Sequence, residues 1–432
     1  MCRLTKWLNI FVTNGLLFIL LFVFNKSAAQ FKQSLSLQEA LKLAEIQYPL
    51  TSQKELLRQT EDLSIKNISS SFLPQLTLNG QASYQSDVTK VGISLPGIKI
   101  PEQPKDQYRA VAELNQLVYD GGFVRRQQNI QRLNTSVEQN KILVDLYQLK
   151  TRIHQLYFSI LYQDELLKQV YISAKEVQVG IDKVKPLVEN GVMLRSNLQL
   201  LQVQILQFEQ RKTEISASRK GLVDALAQFL NQPLPETIQL ETPANSLLAD
   251  TTITRPEISL FQNQSFLLAG QKKLIKSRNL PKANAFVQAG YGQPGLNMLS
   301  NEFKAFYIGG IRFTWPLNGF YNAGRDKKLI DIGRQSVELQ KEIFLLNTRS
   351  QLRQQKADID KYEALLATDQ QIIQLRNDIT TAAKAQLENA VITANDYLLQ
   401  VNAEDAARQA MILHRLQLLQ AQTTYAITSG KL

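Results

Sequence analysis

The 432-residue chain is 44% hydrophobic and 20% charged, with a formal net charge of +11 at pH 7. Its one cysteine, Cys2, sits at the extreme start, so disulfide frameworks, thiolate metal sites and cysteine nucleophiles are excluded from the body of the chain. No stretch interleaves Lys/Arg with stacking aromatics, so the basic balance reads as solvated faces and a pore wall, without nucleic-acid contact.

Residues 1–29 read as a secretory signal: Arg3 and Lys6 begin it, 8–24 is mostly apolar, and Ser27-Ala28-Ala29 precedes a cut at Gln30. The apolar run is interrupted by Asn9, Asn14 and Gly15, which argues against an uncleaved membrane anchor. Removing Arg3, Lys6 and Lys26 lowers the net charge to +8.

The remainder reads as two copies of one unit. The first copy, 30–231, is expected to hold a helix at about 35–73, strands at about 75–86 and 106–119, and helices at about 123–188 and 196–231. A linker over 232–255 leads to the second, 256–432, with helices at about 257–279, 324–388 and 395–428 and strands at about 282–292 and 304–317. Internal self-similarity supports the division. Shifted by 207, Pro49 falls on Pro256, Pro74 on Pro281, Leu73 on Leu280, Gln81 on Gln288 and Tyr84 on Tyr291. Later the offset shortens, so Ser136-Val137-Glu138 returns as Ser336-Val337-Glu338 and Glu189-Asn190 as Glu388-Asn389.

After Pro74 the pattern alternates. Leu76, Leu78, Gly80, Ala82 and Tyr84 point one way, against Gln75, Thr77, Asn79, Gln81 and Ser83. The second copy repeats this with Ala283, Ala285, Val287, Ala289 and Tyr291, and Tyr307, Ile311, Phe313 and Trp315 line one side of its next strand. Pro/Gly-rich loops at 91–104 and 293–300 join each pair. Strands of about 10 residues with aromatics near their ends fit a tilted membrane strand. Four strands cannot close a barrel that needs at least eight, and an open edge in lipid leaves backbone groups without partners. Several copies must therefore combine; three give twelve strands.

The segment after the first strand pair is helical for roughly 100 Å at 1.5 Å per residue. Ile142, Leu146, Leu149, Ile153, Leu156 and Ile160, then Leu167, Val170, Ala174, Val177, Ile181, Val184 and Val188, step by four and three. That 3.5-residue period is a left-handed coiled-coil seam. Leu345, Leu352, Ile359, Leu366, Ile373 and Leu387 recur every seven in the second copy, with polar Thr380 in the remaining slot.

Two glycine turns, Tyr119-Asp120-Gly121-Gly122 and Tyr321-Asn322-Ala323-Gly324, lead into the long helices and are expected to need positive φ. The hairpin tips run from Glu189, Asn190, Gly191 and Val192 through Leu194, Arg195, Ser196 and Asn197, and again from Glu388, Asn389, Ala390 and Val391 to Asn395 and Asp396. Ser196/Asn197 and Asn395/Asp396 are expected to cap the returning helices. His154 and His414, the only histidines, lie far apart on long helices. No triad, metal cluster or set-apart carboxylate pair is present, so neither catalysis nor a cofactor is expected.

Taken together, Leu35-Ser36-Leu37-Gln38-Glu39-Ala40-Leu41, the two Leu-Pro junctions into strands, the Asp-Gly-Gly turn and the tip spacing of Gly191 to Asn197 resemble the TolC family of bacterial outer-membrane efflux proteins. The resemblance spans nearly the whole mature chain. It implies a mainly α fold with membrane β: long coiled-coil hairpins plus four strands per chain, trimerising into a 12-stranded β-barrel and a 12-helix α-barrel. It also implies an equatorial belt near 232–256. The partners it implies are two further copies of the chain, outer-membrane lipid, a periplasmic adaptor docked at the tips and an inner-membrane pump of RND or ABC type. At the position where the family places an acidic residue of the closed entrance, this chain has Asp396 in the second tip and Asn197 in the first. Ala390 replaces the second tip glycine and Ile392 stands where an arginine can lock the entrance. Asp396 is thus either a helix cap or a member of an aperture ring attracting cations.

Overall fold

The computed structural model describes residues 34–89, 103–244, 252–298 and 300–432. The expected leader at 1–29, most of the 91–104 loop and part of the linker lie outside the described residues.

The N-terminal helix is broken in two, contrary to the single helix expected over 35–73. After β1 (Ser34–Leu35), α1 covers Leu37–Gln47 and α2 covers Pro49–Ser69. Pro49 lacks an N–H and disfavours helical backbone before it, and Tyr48 accordingly turns extended at φ −66°, ψ 130°. Ser36 starts α1 through a capping box. Its hydroxyl accepts from the Glu39 amide at 3.3 Å while the Glu39 carboxylate accepts from the Ser36 amide at 3.1 Å.

Beyond Pro74, β2 (Gln75–Tyr84) and β3 (Asp106–Tyr119) pair antiparallel, as do β5 (Lys282–Gln293) and β6 (Lys304–Thr314). The sheet order is β2-β3-β5-β6, so the two repeats meet where β3 pairs β5, with Ala112 opposite Ala289. Among the described residues β2 and β6 are open edges.

Each pair feeds a long helix: α3 (Phe123–Glu189, 67 residues) returns as α4 (Arg195–Leu230), and α6 (Phe320–Glu388, 69 residues) as α7 (Ala394–Ser429). At 1.5 Å per residue each long helix spans about 100 Å. It outruns its 36-residue partner, and α2 and α5 (Pro256–Arg278) cover the strand-proximal part. Val170, Val177 and Val184 on α3 bury against Leu201, Phe208 and Ile215 on α4, each set spaced by seven. In the second hairpin Leu352, Ile359 and Leu387 are buried while Leu345, Leu366 and Ile373 are half-buried. Thr380 is buried in that seam, its hydroxyl donating to the Gln400 carbonyl at 3.4 Å. Among the described residues no helix is long and apolar enough to cross a membrane.

The two strand-to-helix junctions differ. At the first, Gly121 and Gly122 take φ of +67° and +78°, and Leu280 packs too close to Gly121 for a side chain there. The buried Asp120 carboxylate accepts from the amides of Gly122 at 2.7 Å and Val124 at 2.6 Å, capping α3. The positive-φ turn expected at 321–324 does not exist. β6 stops at Thr314, a 3-10 turn covers Leu317–Gly319, and Tyr321 through Gly324 are already inside α6. With one glycine in place of two, this junction relies on Asn279, which donates to the Gly319 carbonyl at 3.2 Å and accepts from the Trp315 indole at 3.1 Å.

Midway along the helices the linker folds onto the N-terminus. β4 (Gln239–Leu240) pairs parallel with β1, and the buried Tyr157 hydroxyl bridges the carbonyls of Leu35 (2.8 Å) and Glu241 (2.7 Å). Leu35, Leu41, Ile153, Ile160, Leu226 and Ile238 share the core beneath. Two-residue strands carry no alternation, which is why the sequence did not predict them.

Candidate functional site

Two regions hold the chain's distinctive chemistry: the sheet at one end and the hairpin tips about 100 Å away.

Register gathers most of the apolar strand residues on one face, while Phe286, Phe306 and Ile308 fall on the other. Leu76 faces Leu114, Leu78 faces Ala112, Leu114 faces Val287 and Ala289 faces Tyr307. Leu78, Tyr307 and Phe313 are 78%, 80% and 77% exposed. An exposed apolar face this continuous exceeds what water tolerates on a monomer. The other face carries Gln75, Thr77, Asn79 and Gln81 on β2, continuing through Arg109, Glu113, Gln288 and Arg312 on the strands beside it.

At the first tip Asn190 ends α3 and Gly191 takes φ +73°; its own amide donates to the Val188 carbonyl, and those of Val192 and Met193 to the Leu187 carbonyl. Val192 and Leu194 are exposed; Arg195 and Ser196 lie exposed in the first turn of α4. Ser196 and Asn197 do not cap that helix: its N-cap is Leu194, which has no side-chain oxygen to offer. Asn197 instead reaches the other hairpin, its Oδ1 accepting from the Ala394 amide at 2.9 Å.

At the second tip Asn389 ends α6, its side chain donating to the Ala385 carbonyl at 2.8 Å. Ala390 holds φ +58°, the conformation Gly191 adopts in the first tip. Val391 is exposed and the Glu388 carboxylate lies 3.8 Å from Lys183. The N-cap of α7 is Thr393, not Asn395. The Asp396 carboxylate accepts from the Thr393 amide at 3.1 Å and hydroxyl at 2.7 Å, and the Thr393 hydroxyl accepts from the Asp396 amide at 3.2 Å. These hydrogen bonds hold the Asp396 carboxyl below the usual range, led by the Thr393 hydroxyl. Thr393-x-x-Asp396 is a capping-box spacing, the signal that would have placed the cap from sequence.

Behind the tips the hairpins lock side by side. Tyr397 on α7 is fully buried over Gly180 of α3, where an added Cβ would sit 3.1 Å from its ring. Its hydroxyl lies 3.3 Å from the Glu176 carboxylate, which pairs with Lys384 at 3.0 Å. Burial pushes the Tyr397 phenol well above its ordinary value. No sequence pattern pointed to Gly180, Glu176 or Tyr397, because their relation is between helices far apart in the chain. About two turns further along α7, the buried Asp405 carboxylate accepts from Gln169 at 2.9 Å and from Ser173.

No family model and no curated protein matches this chain. Solved structures do. The outer membrane protein VceC from Vibrio cholerae superposes with a TM-score of 0.64 at 13% identity, over 92% of this chain and 97% of that one. The open-state MtrE outer membrane channel of Neisseria gonorrhoeae gives 0.63 at 15% identity, over 91% and 89%. The Campylobacter jejuni CmeC outer membrane channel gives 0.63 at 12% identity, over 91% and 85%. The chain thus has the fold of bacterial outer-membrane channel proteins, the architecture that the sequence resemblance implies.

Proposed function

We propose that the chain is the outer-membrane channel subunit of a tripartite efflux or type I secretion system, a passive duct through periplasm and outer membrane. The observation that carries this reading is the four-stranded sheet, apolar on one continuous face and open at β2 and β6, joined without interruption to helices about 100 Å long. Backbone groups at an edge in lipid must find partners, so β6 of one copy pairs β2 of the next until the barrel closes.

The helices below support the same assembly. α6, which follows edge strand β6, exposes Leu329, Ile332, Leu339, Ile343 and Leu346 at helical spacing. α2, which precedes edge strand β2, exposes Leu56 and Leu63. A second copy covers both seams at once, and three copies of four strands make a 12-stranded barrel above a 12-helix tunnel. The equatorial layer around β1 and β4 forms a belt at mid-length.

In this reading the tips dock a periplasmic adaptor. Val192, Leu194 and Val391 offer the apolar contact, and Glu189, Asn190, Gly191, Arg195, Ser196, Asn197, Glu388, Asn389 and Ala390 shape the turns around it. An inner-membrane pump supplies the energy and the chain performs no catalysis. Asp396 caps α7 and, repeated around the trimer axis, also forms a ring that attracts cations.

Fractionation tests the assembly: a heat-modifiable trimer in the outer-membrane fraction is expected, and a soluble monomer would overturn the reading. For the ring, Asp396→Ala in reconstituted channels is expected to reduce the cation-to-anion permeability ratio; unchanged selectivity leaves Asp396 as a cap alone.

A further inference from the structure

The polar face of the sheet carries two stacks that a bare water-filled wall does not need. Gly290 on β5 pairs with Phe306 on β6, and Phe286 on β5 pairs with Gly310 on β6. Each phenyl ring lies across the glycine opposite: a Cβ on Gly290 would sit 2.6 Å from the Phe306 ring, and one on Gly310 3.3 Å from the Phe286 ring. Over these flattened rings lie two guanidiniums, Arg109 at 5.6 Å from the Phe306 centroid and Arg312 at 4.7 Å from that of Phe286.

Alternation puts all of these side chains on the face opposite Leu78 and Phe313. Neither guanidinium forms an ion pair among the described residues, and both are exposed. Glu113, the acidic residue that the described strands place on this face, accepts instead from Asn115 at 2.7 Å. Phe286 and Phe306 sit four positions apart in β5 register, so the stacks occupy two heights about 13 Å apart at 3.3 Å per residue.

A guanidinium seated over a phenyl ring leaves its far side and its outer N–H groups free. Those N–H groups bind carboxylate, sulfonate or phosphate oxygens as a fork, and the free face stacks on a planar ring. From this geometry we infer that Arg109 and Arg312, seated on Phe306 and Phe286, make the barrel lumen a two-step selector for planar aromatic anions. The inference rests on the channel reading, which turns the polar face inward and repeats both stacks around the pore. The step of about 13 Å exceeds the screening length of about 8–10 Å at physiological salt, so the two rings act as separate weak sites and passage proceeds by release from one and capture at the next.

The test reads the barrel alone, whatever selectivity the tips impose. Purified trimer is reconstituted in planar bilayers, and 1-naphthalenesulfonate or methanesulfonate is added on the side facing the barrel mouth. The aromatic sulfonate is expected to reduce single-channel current at concentrations at least about tenfold below the aliphatic one. The double variant Arg109→Gln/Arg312→Gln is expected to lose that difference. Arg109→Lys/Arg312→Lys, which keeps charge but removes the planar fork, retains attraction for both sulfonates without discriminating them. Each variant is first shown to remain a heat-modifiable trimer; if the Gln pair fails to assemble, the Lys pair carries the comparison. Equal block by both sulfonates in the wild type, or discrimination that survives the substitutions, overturns the selector while the channel stands. A wild-type trimer that opens no channel overturns both.

Discussion

Asn197 and Ala394 join the two hairpin tips: the Asn197 side-chain oxygen accepts from the first amide of α7 at 2.9 Å. The Thr393 hydroxyl takes the Asp396 amide of the same turn. Two of the orphan donors at that helix start are therefore met from different hairpins. The first-repeat tip has no polar residue at its own N-cap, so its Asn197 is free for this cross-contact.

Asn197→Ala removes one cap bond and should cost about 1 kcal/mol of local stability. Amide hydrogen exchange at Ala394 is expected to accelerate roughly fivefold. Asn197→Asp, which keeps the acceptor, should restore most of the protection.

Ala390 carries a Cβ in the left-handed region where its repeat counterpart Gly191 carries none. Ala390→Gly relieves a cost of roughly 1 kcal/mol and should slow exchange of the Val391 amide, which donates to Gln386. Gly191→Ala should speed exchange at Val192 by a similar factor.

Gly180→Leu places a branched side chain where the Tyr397 ring already lies. Overpacking of this kind costs typically 1–3 kcal/mol. Displacing Tyr397 separates α3 from α7 behind the tips, and larger single-channel conductance than the wild type is expected. Tyr397→Phe, which keeps the ring and loses only its contact with Glu176, should change conductance far less.

His154 supplies a pH dependence. Burial lowers its pKa to about 4, and its Nε2 lies 2.6 Å from the Thr423 hydroxyl. The folded pKa lies below the unfolded value, so the unfolded chain binds the extra proton first. Stability is complete above about pH 6.5 and falls as pH drops towards 4, by roughly 3 kcal/mol per chain at 1.36 kcal/mol per unit. Denaturant unfolding of the wild type against His154→Gln, compared at pH 7 and pH 4.5, should show the gap between them narrow or invert at the lower pH.

Architecture was legible in the residues themselves because it rests on local periodicity. Alternation around Leu76, Leu78 and Ala82 marks strands, heptad spacing of Val170, Val177 and Val184 marks a seam, and the doubled prolines mark two equivalent units. Each signal depends on neighbours a few positions apart, which backbone geometry converts directly into a face or stripe. Turn chemistry was only half legible: two glycines after Asp120 forced positive φ, whereas the lone glycine at 324 continued as helix.

What joins distant positions was decided by the tertiary structure. Pairing of β3 with β5, the Asn197–Ala394 bond, Tyr397 over Gly180 and the arginines stacked on Phe286 and Phe306 all link segments separated by some 20 to 220 residues. Their partners share no periodic register along the chain, and only packing selects which of many chemically equivalent side chains meet. The sequence by itself therefore determined a twofold unit of strands and long hairpins. The fold alone decided how its halves lock at the tips and which arginines and rings meet on the polar face of the sheet.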